Sequence, residues 1–301
     1  MHPSNKKSSF QSQSSAEKIV DAFMAFVLCL LVVATLYPFI YSLFASLSDG
    51  ALLTRHRGLL FHPLGFSLDA YDKVFKNPMI ISGYKNTLLY LVAGTAINML
   101  LTCLGAYVLS RKSFKPRNAI MLFIIFTMFF NGGLIPTFLI VKNIGLYNNF
   151  FAMVLPNAIS TMNLIILRTS MQEIPDSLEE AARIDGANDF TILFQVIIPV
   201  SQAVLAVMVL FYAVGHWNSW FNAMIYLRQR AKFPIQLILR EVLLSNSTDS
   251  MTTGLPTEGS AVIGEGIKHS TMIVATVPVL IIYPMLQKYF VKGVMIGSIK
   301  G

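Results

Sequence analysis

The chain has 301 residues, of which 54% are hydrophobic and only 13% are charged. Soluble domains carry about a quarter charged residues, so this composition excludes an ordinary soluble protein and predicts an all-α integral membrane protein. The formal charge of +8 is scattered over the ends of apolar segments, which excludes the concentrated basic surface of a nucleic-acid-binding protein.

Six apolar segments are long enough to cross a bilayer as helices. The predicted transmembrane helices are Phe23–Leu47, Asn86–Leu109, Ala119–Val141, Phe150–Leu167, Val196–Val214 and Thr271–Phe290. Phe23–Leu47 is too long for a signal-peptide core, so we expect it to stay uncleaved. The predicted domains are a cytoplasmic tail (1–18), a six-span domain (19–292) and a second cytoplasmic tail (293–301). Long polar loops, Asp49–Lys85 and Trp217–Ser270, follow the first and fifth spans.

The short connections between spans decide the orientation, because long loops cross the membrane whatever their charge. Between the second and third spans lie four basic residues, Arg111, Lys112, Lys115 and Arg117, whereas only Lys142 lies between the third and fourth. This difference predicts that both termini face the cytoplasm. It places the charged segment after the fourth span, residues 174–198, on the same side.

This charged segment is predicted to form two short helices. Asp176 or Ser177 can cap the first helix, since their side-chain oxygens accept unpaired first-turn N–H groups. Asp176 with Glu179 and Ser177 with Glu180 both have capping-box spacing. We favour Asp176 with Glu179, because that pairing leaves Glu180 free.

The sequence also predicts where the first helix ends and where the second begins. Gly186 suits the left-handed residue that ends a helix, and Asn188 can cap the next one. Pro199 is expected to bend the chain into the fifth span. The apolar residues of the second helix recur at helical spacing: Phe190, Leu193, Phe194 and Ile197.

The same segment carries a motif, Glu180-Ala181-Ala182 followed at fixed offsets by Gly186 and Pro199. It resembles the EAA signature of the membrane subunits of bacterial ABC importers, EAA-x3-G-x9-I-x-L-P, and departs from it only by the conservative Val196 and Ile198. The resemblance implies a type I ABC importer permease (MetI-like) fold with a coupling helix that docks on a separate ATPase. The residues to which it assigns this coupling are Glu179, Glu180, Ala181, Ala182, Arg183, Asp185 and Gly186.

The resemblance also implies partners and a location. The chain has no G-x-x-x-x-G-K-[ST] loop, so it is expected to bind no cofactor itself, with ATP and magnesium held by the partner ATPase. The implied partners are a second homologous permease, an ATPase dimer and an extracellular solute-binding protein. The implied location is the bacterial cytoplasmic membrane, with lipid around the spans.

The C-terminal run from Gln287 resembles the end of MalG-type, LplC-like permeases of carbohydrate-uptake importers. In that family the last residues reach the ATPase dimer, which implies contacts by Gly297, Ser298, Lys300 and Gly301. The alternative is a frayed basic tail at the lipid headgroups.

Polar and aromatic residues within or beside the spans are candidates for the substrate path, because sugars bind to amides and aromatic faces. They are Asn131, Asn157, Ser160, Thr161, Trp217, Asn218 and Trp220. Asn157, Ser160, Thr161 and Arg168 are predicted to share one helical face. The alternatives are hydrogen bonds between helices and an interfacial aromatic belt. The loop Arg228–Lys268 either reaches into the binding protein or is disordered.

Other functions remain open at this stage. An importer of a non-sugar solute shares the EAA pattern. An ion-coupled carrier would need charges inside the spans, yet every charged residue can be placed at a span edge or in a loop. His216 is the one titratable exception. An integral-membrane enzyme would need clustered catalytic residues, and the five histidines are scattered.

Overall fold

The computed structural model describes residues 15–252 and 264–281, and this part of the chain is mostly helical. The helices are α1 (Ser15–Ser46), α2 (Gly50–Arg55), α3 (Asp69–Lys76), α4 (Pro78–Ser110), α5 (Arg117–Phe129), α6 (Leu134–Asn143), α7 (Phe150–Val154, continued as a 3-10 turn to Asn157), α8 (Thr161–Gln172), α9 (Asp176–Ile184), α10 (Asp189–Val200, with a π-helical stretch Ile192–Ile197), α11 (Gln202–Trp217), α12 (Trp220–Tyr226), α13 (Ile235–Thr252) and α14 (264–281).

Two single helices, α1 and α4, are long and apolar enough to cross a membrane. Three further candidates are helix pairs bent at a short break, by 115° between α5 and α6, 56° between α7 and α8, and 89° between α10 and α11. The described residues therefore contain up to five spans. The predicted sixth span lies only partly within them, so the total of six stays a prediction.

If each bent pair is one span, the third, fourth and fifth spans are broken helices. The bend after Pro199 was predicted, whereas the break in the third span was not. In the third span the break falls at Asn131-Gly132-Gly133. Gly133 adopts φ +86°, and the Asn131 side-chain oxygen accepts a hydrogen bond of 2.8 Å from its backbone N–H. In the fifth, the path turns at Ser201, just after Pro199, as a proline in a helix predicts.

Two regions predicted as loops contain helices. The second span begins at Pro78 rather than Asn86, because Asn77 caps the helix and accepts a 2.9 Å hydrogen bond from Met79 N–H. Asn86 lies inside α4 and donates to the carbonyls of Ala231 and Phe233. The predicted loop Arg228–Lys268 is likewise wrong in part, since α13 begins at Ile235 and its first turns are buried.

The long helix α4 runs through the packed interior. Its first half packs with α13, α12 and α14 in one apolar cluster, and its second half packs with α8 and α10 in another. Gly94 allows α11 to approach closely, because a Cβ atom there would lie 2.6 Å from the His216 ring. The helix therefore connects the region around α13 to the charged segment.

A buried polar network joins α4, α11 and the break between α7 and α8. The Asn98 amide donates to the carbonyls of Asn157 and Ala158, at 3.2 and 2.7 Å, and its oxygen lies 2.6 Å from His216 Nε2. Tyr212 Oη accepts from Ser160 N–H at 3.0 Å and pairs with Thr102 at 2.7 Å. His216 is thus a hydrogen-bonded structural residue here.

Candidate functional site

The charged segment forms the two helices that its sequence predicts, α9 and α10. Gly186 adopts φ +85° and ends α9 in a Schellman motif. Its N–H donates to Arg183 O at 3.0 Å, and Ala187 N–H donates to Ala182 O at 2.9 Å. Asn188 caps α10 by accepting from Thr191 N–H at 2.8 Å. The turn between the helices is therefore fixed by hydrogen bonds on both sides.

The predicted cap of α9 is wrong. Pro175 occupies the cap position without a side-chain hydrogen bond, and Asp176 is the first residue of the helix. The Asp176 carboxylate instead accepts a 2.6 Å hydrogen bond from Lys112 of the loop between α4 and α5. This hydrogen bond, with the charge of Lys112, lowers the pKa of Asp176. The residue ties two segments together where we expected it to stay within one.

The Glu179 side chain is likewise engaged in contacts within the chain. Its side chain is only 13% exposed and pairs with Arg111, which is 10% exposed, and with Arg183 of the next turn. Arg183 bridges onward to Asp189, and these hydrogen bonds, first to Glu179 and then to Asp189, raise the pKa of Arg183. We call the Arg111–Glu179 ion pair the clasp, because it fastens α9 to the end of α4.

Arg111 is held by more than this ion pair. Its Nη2 donates to Met171 O at 2.8 Å, its Nε donates to Ser110 Oγ at 2.9 Å, and its guanidinium lies 5.0 Å from the Tyr107 ring. The clasp therefore joins α4, α8 and α9 at one point.

The last four carbonyls of α4, which a helix leaves unpaired, all find donors. Ser110 Oγ donates to Tyr107 O, and Arg111 N–H donates to Val108 O. Arg168 Nε donates to Leu109 O at 2.9 Å, and Arg117 Nη1 donates to Ser110 O at 3.5 Å. Positive charges at a helix C-terminus also interact favourably with the negative end of the helix dipole. The clasp thus sits on a fully satisfied helix end.

The outer face of α9 is free of such contacts. Glu180 and Ala181 are exposed, and the Glu180 side chain makes no hydrogen bond or ion pair with any described residue. Ile184, one turn further on, is 86% exposed. Ala182 faces inward and packs on the apolar cluster. Sequence analysis missed Ile184, although its spacing from Glu180 signals the shared face.

A polar cleft of ≈ 450 Å³ opens beside this face. Its walls are charged residues from the α4–α5 loop and from the charged segment: Arg111, Lys112, Asp176, Glu179, Glu180, Arg183 and Asp189. Asp185, the C-terminal cap residue of α9, is exposed beyond it. An acidic side chain, a small alanine and an exposed isoleucine beside a charged cleft suit a protein partner with basic and apolar groups.

The candidates for the substrate path do not form one surface. Thr161 and Arg168 are seven residues apart in α8 and share one face of it, whereas Asn157 lies before the break and Ser160 is the cap residue of α8. Ser160 caps α8, accepting from Asn163 N–H at 3.4 Å. Asn131 is exposed but hydrogen-bonds its own turn.

The aromatic candidates differ in exposure. Trp217 is 5% exposed and packs beside Tyr84, with ring centroids 6.5 Å apart. Asn218 is exposed, and Trp220 is half-buried under the guanidinium of Arg240. The predicted tail contacts, Gly297, Ser298, Lys300 and Gly301, lie outside the described residues.

Comparisons with known proteins agree on one family. The family model "Binding-protein-dependent transport system inner membrane component" matches residues 101–296. The chain is 40% identical to the polygalacturonan/rhamnogalacturonan transport system permease protein YtcP of Bacillus subtilis (strain 168), covering 94% of this chain and 99% of YtcP. It is also 40% identical to Protein LplC of the same organism, covering 89% and 90%. A solved bacterial ABC transporter involved in the import of the acidic polysaccharide alginate is 33% identical, with a TM-score of 0.85 over 93% of this chain and 99% of that one.

Proposed function

This chain belongs to the family of inner membrane components of binding-protein-dependent transport systems, and from that premise we propose how it works and what it carries. It is a membrane-spanning permease subunit of an importer, not an enzyme. We place its termini and α9 on the cytoplasmic side, from the distribution of basic residues between the short loops.

The substrate we propose is an acidic oligosaccharide. Two relatives support this, since polygalacturonan and alginate are the polymers named for them and both consist of uronic acids. Such a substrate reaches the permease from an extracellular solute-binding protein. We propose that a second homologous permease completes the passage, as the resemblance to this family of importers implies.

The energy comes from a separate ATPase dimer that binds ATP and magnesium. The observation that carries this proposal is the division of α9 into two faces. Glu179 is turned inward and held by the clasp, whereas Glu180, Ala181 and Ile184 are left exposed. We propose that the exposed face docks in a groove of the ATPase and that Glu180 pairs with a basic residue there.

In this mechanism the clasp transmits the movement. When the ATPase subunits close on ATP they displace α9, and the clasp passes that displacement to the end of α4. Because α4 packs on α8, α11 and α13, its movement rearranges the helices that line the passage. The breaks in the third, fourth and fifth spans offer the places at which these helices bend.

The test uses two variants, Glu180→Ala and Gly186→Asp, in whole cells that express the complete importer. Losing a charged interfacial contact costs about 2–5 kcal/mol, so Glu180→Ala should reduce uptake at least tenfold. Gly186→Asp strains a left-handed residue and misplaces the docking face. Both proteins should reach the membrane at normal levels. Normal uptake by both variants would show that α9 does not couple the permease to the ATPase.

A further inference from the structure

Arg240 has a buried guanidinium nitrogen without a hydrogen-bond partner among the described residues. The guanidinium carbon of Arg240, on α13, lies 3.8 Å from the centroid of the Trp220 ring. Its Nη1 is shielded from solvent and has no hydrogen-bond partner among the described residues. A desolvated guanidinium is costly unless an anion pairs with it, and stacking on an aromatic ring only partly offsets that cost.

The neighbouring acidic residue does not neutralise Arg240. Glu241 is paired with Arg230 at 2.6 Å, on the exposed side of the helix. Ile235 and Ile238 are 0% and 3% exposed and fix the first turns of α13 in the apolar cluster. Arg240 therefore lies on a well-packed helix, partly exposed and with one guanidinium nitrogen unpaired among the described residues.

Trp220 orients the guanidinium in a way that suits a carboxylate. The contact with the ring, 3.8 Å from its centroid, restricts the movement of the guanidinium, whose N–H groups form a planar fork that matches the two oxygens of a carboxylate. Trp220 was a candidate for the substrate path in its own right, and the exposed Asn218 precedes it by two residues. The pair thus combines a cation for a carboxylate with a support that limits its motion.

We propose that Arg240 binds the carboxylate of a uronic acid unit as the oligosaccharide passes through the permease, with Trp220 positioning the guanidinium. This inference rests on the proposed function, because it assigns a residue to recognition of the proposed acidic substrate. In this proposal the membrane subunit itself selects for the negative charge of the substrate, in addition to any selection by the binding protein.

The experiment measures binding of trigalacturonate and of neutral galactotriose to the purified permease–ATPase complex without the binding protein. The wild-type complex should prefer trigalacturonate, and Arg240→Gln should weaken its binding about tenfold or more, because a charge-assisted hydrogen bond is lost. Arg240→Lys keeps the charge without the fork and should fall between the two. Galactotriose binding should stay unchanged. The matched control is Arg228→Gln, an exposed arginine of the same region whose loss leaves the Arg230–Glu241 pair intact, and it should bind like the wild type.

Each other outcome is informative. The inference would be overturned if Arg240→Gln weakened the binding of both sugars equally. It would also be overturned if the Arg240→Gln complex failed to assemble while Arg240→Lys bound like the wild type. Either result would assign Arg240 to a contact within the protein. A wild-type complex without preference for trigalacturonate would overturn it too. The proposed function would still stand if this wild-type complex took up trigalacturonate with ATP when the binding protein delivers it. If the complex took up no oligosaccharide at all, the proposed function itself would be rejected.

Discussion

Replacing Glu179 with glutamine removes the charge that fastens α9 to α4 while keeping the size of the side chain. The two partners of the clasp are 13% and 10% exposed, so the pair is largely shielded from water. Removing one member of a buried ion pair costs about 3–5 kcal/mol. We expect about 2 kcal/mol here, since the glutamine oxygen still accepts a hydrogen bond and Arg111 keeps its bonds to Met171 and Ser110.

A loss of about 2 kcal/mol raises the open fraction of the clasp roughly 30-fold. The apolar residues beneath it still bury α10, so we expect local opening of α9 and not loss of the fold. The assay is amide hydrogen exchange of the peptide that covers α9, in the assembled complex without nucleotide. Transport per ATP hydrolysed, measured on the same preparation, should fall with it.

The matched control is Asp176→Asn, which also removes an acidic charge from α9 but breaks an exposed pair. Surface ion pairs contribute little, so exchange should stay close to that of the wild type. The reasoning would be refuted if Glu179→Gln exchanged like the wild type, or if both variants accelerated exchange equally.

Two further predictions concern the polar contacts. Asn98→Leu should lower the stability of the detergent-solubilised protein by about 2–3 kcal/mol, because His216 and two backbone carbonyls lose a buried hydrogen-bond partner. An unchanged midpoint of thermal unfolding would show that this polar network does not stabilise the fold. In the folded protein Lys112 lowers the pKa of Asp176. The stability that their ion pair contributes is therefore present at neutral pH and lost as the pH falls below about 4. Because the pair is exposed its contribution is small, so the wild type in acid and Asp176→Asn at neutral pH should show the same slight rise in exchange of the first turn of α9.

Local signals in the sequence predicted local structure well. Gly186 and Asn188 were correctly interpreted because a helix end and a helix cap depend on a few adjacent residues. The EAA pattern led to the family, which the comparisons establish. The break at Asn131-Gly132-Gly133 and the buried start of α13 were missed although signals existed. Glycine pairs disrupt helices, and residues 235–244 have apolar spacing typical of a helix.

Contacts between distant segments could not be predicted in this way. Asp176 was expected to cap its own helix, but Lys112 from another loop competes for its carboxylate. The clasp joins Arg111 and Glu179, which are 68 positions apart, and nothing in either segment alone indicates the pairing. For the same reason the contact of Arg240 with Trp220 could not be predicted, because Arg240 belongs to a segment that was predicted as a loop.

The most direct test of the account is uptake by purified components in lipid vesicles. The permease pair with its ATPase and binding protein should accumulate acidic oligosaccharide only when ATP and magnesium are supplied on the ATPase side. Accumulation should fall at least tenfold when Glu180→Ala replaces the wild-type chain. Uptake by this chain alone, driven by a proton or sodium gradient, would contradict the claim that it depends on a partner ATPase.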